Sequence, residues 1–336
     1  MAAHGSSGSR RPKLVAVQAD PDGPPAPRRP RTKDAPAGGG SDHAAERVAG
    51  DHGAATDDAG ADPGHRDGAD PVAADPERLT DVDEWGRSQH LRDLLAKVFD
   101  PIYDRWLRVE WEGFDKIPPT GGALMVANHA GAIPVDAPSI MHGIERELER
   151  PVYGLADEVF KKMPLVNVAW SRLGGVQAHP DNAYRLLRQQ QQLVMVFPEG
   201  AKGPGKLYSE RYQLRRFGRG GFVQIAMRAG VPIIPLAIVG NEETMPIVAK
   251  VPALAKALGV PYAPITANML FGPVGMWVPF PAKMRIRVLD PVELDVLPDQ
   301  PRYSRSRIMD TSEAIRHAIQ EELYDMLRER RSIWTG

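Results

Sequence analysis

Three short apolar runs constrain this 336-residue chain most: residues 123–127 (Ala-Leu-Met-Val-Ala), 193–197 (Leu-Val-Met-Val-Phe) and 231–239 (Val-Pro-Ile-Ile-Pro-Leu-Ala-Ile-Val). Each is short and has no polar residue in it. That is the pattern of a strand buried on both faces. Helical periodicity fills residues 137–148, 161–173, 181–192 and 222–229 between them. Further strands are expected over residues 109–114, 152–156 and 284–288. A last amphipathic helix is expected over residues 310–331, with Asp310 and Glu313 in capping-box spacing. Strands alternating with helices imply an α/β fold, a central mixed sheet flanked by helices.

Composition sets the boundaries of that domain. Residues 1–84 are rich in Gly, Ala, Pro, Asp and Arg and nearly lack large apolar residues. Such a segment cannot offset its ordering entropy by burial, so a disordered, charge-blocked tail is expected there. It carries 10 Lys+Arg against 16 Asp+Glu, net −6, while residues 85–336 carry net +5. The expected domain is therefore 85–336 and mildly basic, which suits anionic lipid surfaces or phosphorylated ligands. Cysteine is absent, which excludes disulfides and thiol catalysis. No secretory signal and no spanning helix is expected, because no apolar run is long enough for either.

Two segments have an ambiguous apolar character. The domain opens on an amphipathic helix, Leu91 to Leu107, interrupted by Pro101, which should break or kink it. Its apolar face fits either the core or a membrane surface. Residues 257–282 contain no Asp, Glu, Lys or Arg but hold five prolines together with Leu270, Phe271, Trp277 and Phe280. An uncharged loop of that kind either packs on the domain or dips into lipid.

The chemistry points to strand ends. Residues 123–127 stop at Asn128-His129, and a Gly- and Pro-containing loop then delivers Asp136. A strand, a histidine, a tight loop and a carboxylate place a base at the C-terminal edge of a sheet. The alternative is a capping histidine on a surface loop. Phe197-Pro198-Glu199-Gly200 ends the second run, and Val231-Pro232-Ile233-Ile234-Pro235 is read as a third strand-end block. Convergence of these ends brings His129, Asp136 and Glu199 near a basic loop carrying Lys202, Lys206, Arg211, Arg215, Arg216 and Arg219. Histidine takes and returns a proton near neutral pH, a carboxylate in reach holds its tautomer, and the backbone N–H groups of the Gly131 and Gly200 turns are candidate donors to a developing negative charge. No metal-ligand cluster is evident.

Those three blocks, in that order, resemble the glycerolipid acyltransferase superfamily, which includes glycerol-3-phosphate and lysophosphatidate acyltransferases. The resemblance covers residues 90–300 approximately. It implies acyl transfer from acyl-CoA or acyl carrier protein to a lipid hydroxyl, with no other cofactor. It makes His129 the general base and Asp136 its orienting partner. It assigns Asn128, Glu199, Gly200 and Lys202 to substrate binding, Lys202 standing where the family often has a basic residue. Two departures stand out. The family usually has four residues between its histidine and aspartate, whereas Ala130 to Val135 makes six. Its second motif usually ends in an arginine, and none occurs in residues 174–179.

The expected function is transfer of a fatty acyl group from acyl-CoA to a lysophospholipid hydroxyl in phospholipid biosynthesis. The alternatives are a neutral lipid alcohol as acceptor, or a non-catalytic lipid-binding protein of the same fold. The expected partners are acyl-CoA, a lipid acceptor and a membrane surface, not nucleic acid. The expected location is the cytoplasmic face of the membrane, peripheral or monotopic.

Overall fold

The computed structural model describes residues 81–156, 164–260 and 262–336. The tail expected over residues 1–84 thus lies outside the described residues up to position 80. Its last four residues are bonded into the domain. Asp81 Oδ2 accepts the Ser88 hydroxyl at 2.6 Å, and Asp83 Oδ1 accepts the N–H groups of Trp85 and Arg87 at 2.9 Å each. Asp83 Oδ2 accepts the Tyr153 hydroxyl at 2.6 Å. Composition missed this boundary because the acidic residues that anchor the domain resemble those of the tail.

The strands are β1 (Glu110–Glu112), β2 (Ala123–Ala127), β3 (Val152–Ala156), β4 (Gly175–Gln177), β5 (Leu193–Val196), β6 (Ile233–Val239), β7 (Ile247–Lys250), β8 (Pro264–Thr266) and β9 (Arg285–Val288). Seven of them form one sheet in the order β1-β9-β6-β2-β5-β3-β4, and β7 and β8 form a separate antiparallel pair. Within the large sheet only β6 and β9 pair antiparallel, so the sheet is mixed as expected. The chain leaves β2 for β3, returns to β5 beside β2, then crosses to β6 on the other side. This reversal of strand order gathers the carboxyl ends of β2, β5 and β6 around one crevice.

The helices are α1 (Gln89–Pro101), α2 (Asp136–Leu148), α3 (Pro164–Arg172), α4 (Pro180–Tyr184), α5 (Gly221–Ala229), α6 (Asn241–Thr244), α7 (Pro252–Leu258), α8 (Gly272–Gly275) and α9 (Arg305–Glu329). They cover both faces of the sheet, which explains the unbroken apolar runs. Leu124 and Val126 pack with Phe222 and Val223 of α5 and with Ile315 and Ile319 of α9. Ala123, Met125 and Ala127 pack on the other face with Ile140, Met141 and Ile144 of α2. Full burial of each large aliphatic side chain contributes about 1.5–3 kcal/mol.

Pro101 ends the α-helical part of its segment as expected, and the chain continues into a π-turn, Ile102–Trp106, with Leu107 N–H donating to Ile102 O at 2.7 Å. Three local expectations are corrected. The residue 181–192 helix is α4 followed by a π-turn, Arg185–Gln189. The last helix starts at Arg305 after Ser304, not at Asp310, and Glu313 pairs with Arg316 instead of capping. The polar first turn of α9 gave no apolar period by which to see it. Finally, Val231 to Pro235 is not a strand end. It enters β6 at the pole away from the crevice, with residues 233–235 already in the strand, and Gly240-Asn241 is what leaves β6 at the crevice.

Candidate active site

The site begins where β2 ends. Asn128 is fully buried, and its amide pairs with one residue of β6: Nδ2 donates to Ile238 O at 3.0 Å, and Oδ1 accepts Ile238 N–H at 2.8 Å. Both amide atoms are spent on backbone. Asn128 is therefore corrected from a substrate contact to a clamp that fixes β2 against β6 one residue before the histidine.

His129 is the partly exposed member of the site. Its Nδ1 lies 2.9 Å from Asp136 Oδ2, and its ring stacks on Phe197 with centroids 4.1 Å apart and planes 17° apart. Asp136, the first residue of α2, is fully buried. Its Oδ2 also accepts Ala130 N–H at 3.0 Å and Asn241 Nδ2 at 3.3 Å, and its Oδ1 accepts Ala137 N–H at 2.7 Å. Donors from three segments thus fix the carboxylate that fixes the imidazole. The six-residue loop spans the gap by bulging at Gly131, which has φ +88°. Nδ1 is engaged, and Nε2 keeps no hydrogen-bond partner among the described residues. A neutral imidazole oriented in this way presents Nε2 as a proton acceptor.

Glu199 is also placed differently from the expectation. Its side chain is buried, Oε1 accepts the His129 N–H at 3.1 Å, and Oε2 accepts the Arg215 N–H at 2.7 Å. Lys206 Nζ lies 3.4 Å from the same Oε2 and 3.0 Å from Glu242 Oε1. The side chain is fully buried and both of its oxygens already accept backbone donors, so the structure places Glu199 as a brace under the histidine and not as an exposed substrate contact. Burial holds the Glu242 carboxyl above the usual carboxylate range. Gly200, at φ +56°, donates its N–H to Phe197 O at 3.0 Å, which removes it as an oxyanion donor. The Gly131 N–H has no such partner among the described residues.

Lys202 is exposed and has no ion-pair partner among the described residues, as has Arg219 farther along the same loop. It adjoins Gly203, whose backbone lies so close to His129 that an added Cβ would meet His129 O at 2.7 Å. Among the described residues, no group of three or more His, Cys, Asp or Glu is placed to hold a metal ion.

Sequence reasoning missed Gly203, the pairing of Lys206 and above all Asn241. The signal was present: Gly-Asn-Glu-Glu follows an apolar run just as Asn128-His129 does. Tyr262 is a further residue of this neighbourhood. Its ring lies against Gly205, and burial together with the charge of Asp136 pushes its hydroxyl up to about 12.

The Acyltransferase family model matches residues 108–239. An uncharacterized protein of Mycobacterium tuberculosis is 38% identical over 267 residues, covering 77% of this chain and 74% of the relative. The DGAT1/2-independent enzyme synthesizing storage lipids of Bos taurus is 25% identical over 251 residues, covering 72% and 71%. The crystal structure of the 1-acyl-sn-glycerophosphate acyltransferase PlsC from Thermotoga maritima matches with a TM-score of 0.45 and 22% identity, covering 72% of this chain and 83% of that one. With the matching residues and an oriented histidine at the end of its central strand, the chain carries a domain of the Acyltransferase family.

Proposed function

We propose that this acyltransferase moves a fatty acyl group from acyl-CoA to the hydroxyl of a lysophospholipid of the 1-acylglycerol-3-phosphate type, in phospholipid biosynthesis at the cytoplasmic membrane face. The observation that carries the reading is the 2.9 Å contact between His129 Nδ1 and the buried Asp136 carboxylate. In this reading Nε2 takes the acceptor's hydroxyl proton as the oxygen attacks the thioester carbonyl. Asp136 steadies the imidazolium that forms. The Gly131 N–H is the candidate donor to the oxyanion. Collapse of the tetrahedral intermediate breaks the C–S bond, and the leaving CoA sulfur takes the proton back from His129. The products are the ester and free CoA, with no covalent enzyme intermediate. Acyl carrier protein is the alternative donor.

Lys202, exposed next to the Gly203 contact, favours an acceptor with a phosphate. A neutral glyceride acceptor has its own support. No arginine stands at the end of β4, and the bovine relative is named for synthesizing storage lipids.

The test is the purified protein with labelled acyl-CoA and a panel of lysophosphatidate, monoacylglycerol and diacylglycerol. The expected result is a labelled ester of lysophosphatidate, reduced about 10²–10⁴-fold by His129→Ala. Lys202→Ala is expected to weaken lysophosphatidate far more than monoacylglycerol. Equal losses, or transfer to glycerides alone, would establish the neutral acceptor instead. No transfer to any acceptor, from acyl-CoA or acyl carrier protein, would leave the lipid-binding alternative.

A further inference from the structure

Six residues form a closed polar ring around the base. The His129 N–H donates to Glu199 Oε1 at 3.1 Å, and Glu199 Oε2 lies 3.4 Å from Lys206 Nζ. Lys206 Nζ lies 3.0 Å from Glu242 Oε1, and the Glu242 N–H donates to Asn241 Oδ1 at 3.0 Å. Asn241 Nδ2 donates to Asp136 Oδ2 at 3.3 Å, and that oxygen returns to His129 Nδ1 at 2.9 Å. Every member except His129 is buried. Backbone donors brace the ring from outside: Arg215 N–H meets Glu199 at 2.7 Å and Tyr212 N–H meets Glu242 at 3.0 Å.

We infer that Asn241, Glu242 and Lys206 are positioning residues of the acyl-transfer site, holding the His129–Asp136 pair in register through this ring. The inference rests on the reading of His129 as the base. Asn241 and Glu242 lie beyond the residues that the family model spans. They enter the ring because β6 ends beside β2, which puts the first polar residues after β6 against the start of α2.

The energetics argue against a purely structural role. Burying one ammonium between two carboxylates removes three charges from water, and such sets are often replaced by apolar residues without loss of stability. The ring's return is geometric. Asn241, just after β6, supplies a side-chain donor to Asp136, and Lys206 keeps Glu199 aimed at the histidine backbone. A displacement of about 1 Å at a reacting group costs on the order of 10²-fold in rate.

The experiment compares wild type with Asn241→Ala and with the charge-removing pair Lys206→Met plus Glu242→Gln, in the full chain. Three quantities are read: kcat and KM for both substrates, Tm, and the NMR signal of the His129 Nδ1 proton shared with Asp136. The expected result for Asn241→Ala is a kcat lowered about 10–100-fold. KM for both substrates should stay within about twofold, and the Nδ1 proton signal should broaden or shift. Lys206→Arg should retain more activity than the charge-removing pair. A folded Asn241→Ala with wild-type kcat and an unmoved signal would overturn the inference. So would a loss of kcat that only tracks loss of folded protein in both variants. If Asn241→Ala does not fold, the charge-removing pair carries the test by the same criteria. An inactive wild type whose Nδ1 signal still responds to Asn241→Ala would refute the reading of His129 as a base while leaving the ring intact.

Discussion

Glu199 receives the backbone N–H of His129 at 3.1 Å, so the best-marked motif of the chain acts on that histidine through its main chain. The glutamate leaves β5, reaches across to the residue that ends β2, and takes Arg215 N–H with its other oxygen. One carboxylate thus fastens the basic loop and the histidine to each other. The motif's Phe197 adds to this by stacking on the same ring. What looks in the sequence like an acceptor site is, in the fold, the floor under His129.

Glu199→Gln is expected to lower kcat and stability together. The substitution removes a buried charge that faces Lys206 and turns one of the two accepting atoms into a donor. Leaving a buried donor unmet costs about 1–3 kcal/mol, and breaking a buried ion pair about 3–5 kcal/mol. Urea unfolding and steady-state rates at saturating acceptor measure the two effects. A variant of wild-type stability with only a raised acceptor KM would return Glu199 to a direct contact with the acceptor.

Gly203→Ala tests how tightly the loop closes on the base. An added Cβ would lie 2.7 Å from His129 O, 3.0 Å from His129 Cβ and 3.1 Å from Glu199 Cβ. Two of those three atoms belong to His129, and one is backbone, so the loop or the histidine must shift. Overpacking of this kind costs about 1–3 kcal/mol, and the displaced base should lower kcat by at least about tenfold. Ala at the exposed Gly200 is the comparison, since a Cβ there meets nothing within 4 Å; its cost is the φ of +56° alone. A larger kcat loss at Gly200 than at Gly203 would refute the close packing.

The strands were legible because burial on both faces leaves no polar residue in Leu124, Met125 and Val126 or in β6. The His129–Asp136 pair was legible too, although its spacing departs from the family's. Gly131 and the loop's bond from Ala132 N–H to Met245 O at 3.4 Å absorb the extra residues. The roles of Asn128 and Glu199 were not legible. A polar residue at a strand end reads as a ligand contact, and only coordinates reveal that Ile238 or the His129 backbone already occupies it. Lys206 stayed hidden among the loop's basic residues for the same reason: one dimension does not separate a buried ammonium from solvated ones. Pro101 was legible as the place where α-helical bonding stops, but not the π-turn that carries the chain on from it.

His142 makes the domain sensitive to acid. Its Nε2 lies 2.8 Å from Asp100 Oδ1, and its ring meets Phe99 and Tyr103 at 5.2 and 5.0 Å. Burial outweighs Asp100 and pulls the imidazole below its ordinary 6.5. The unfolded chain then binds more protons than the folded one below that value, so this contribution to stability is present above it and fades as pH falls. Urea melts at about pH 7.5 and about pH 5.5 should show wild type losing more stability than His142→Gln on acidification. Equal losses in both proteins would place the acid sensitivity elsewhere.

The last prediction concerns the membrane. Leu270, Phe271, Val274 and Trp277 are 86, 72, 74 and 68% exposed, all within the uncharged stretch of residues 257–282. Phe280 is half-buried and supports them, its ring edge-on to Phe271 at 5.8 Å. Trp106 at the end of the first helical segment donates to Pro279 O at 2.8 Å, and Arg108 reaches Pro281 O at 2.6 Å and Trp334 O at 2.7 Å. Exposed aromatic residues from three distant parts of the chain thereby meet around one segment. Leu94 and Val98 of α1 are more than half exposed as well. No helix among the described residues is long and apolar enough to cross a membrane. Such a surface suits a protein that lies in the interface, with the net +5 of residues 85–336 adding attraction to anionic lipid. In flotation with vesicles of phosphatidylserine and phosphatidylcholine, binding should weaken with salt but persist in part. Phe271→Ser with Trp277→Ser should abolish the salt-resistant fraction, since each aromatic contributes about 1.5–3 kcal/mol on burial. Their catalytic rate on short-chain, water-soluble substrates should stay at the wild-type value. Unchanged flotation of the double variant would move the docking surface away from residues 257–282, and no flotation of wild type would refute docking altogether.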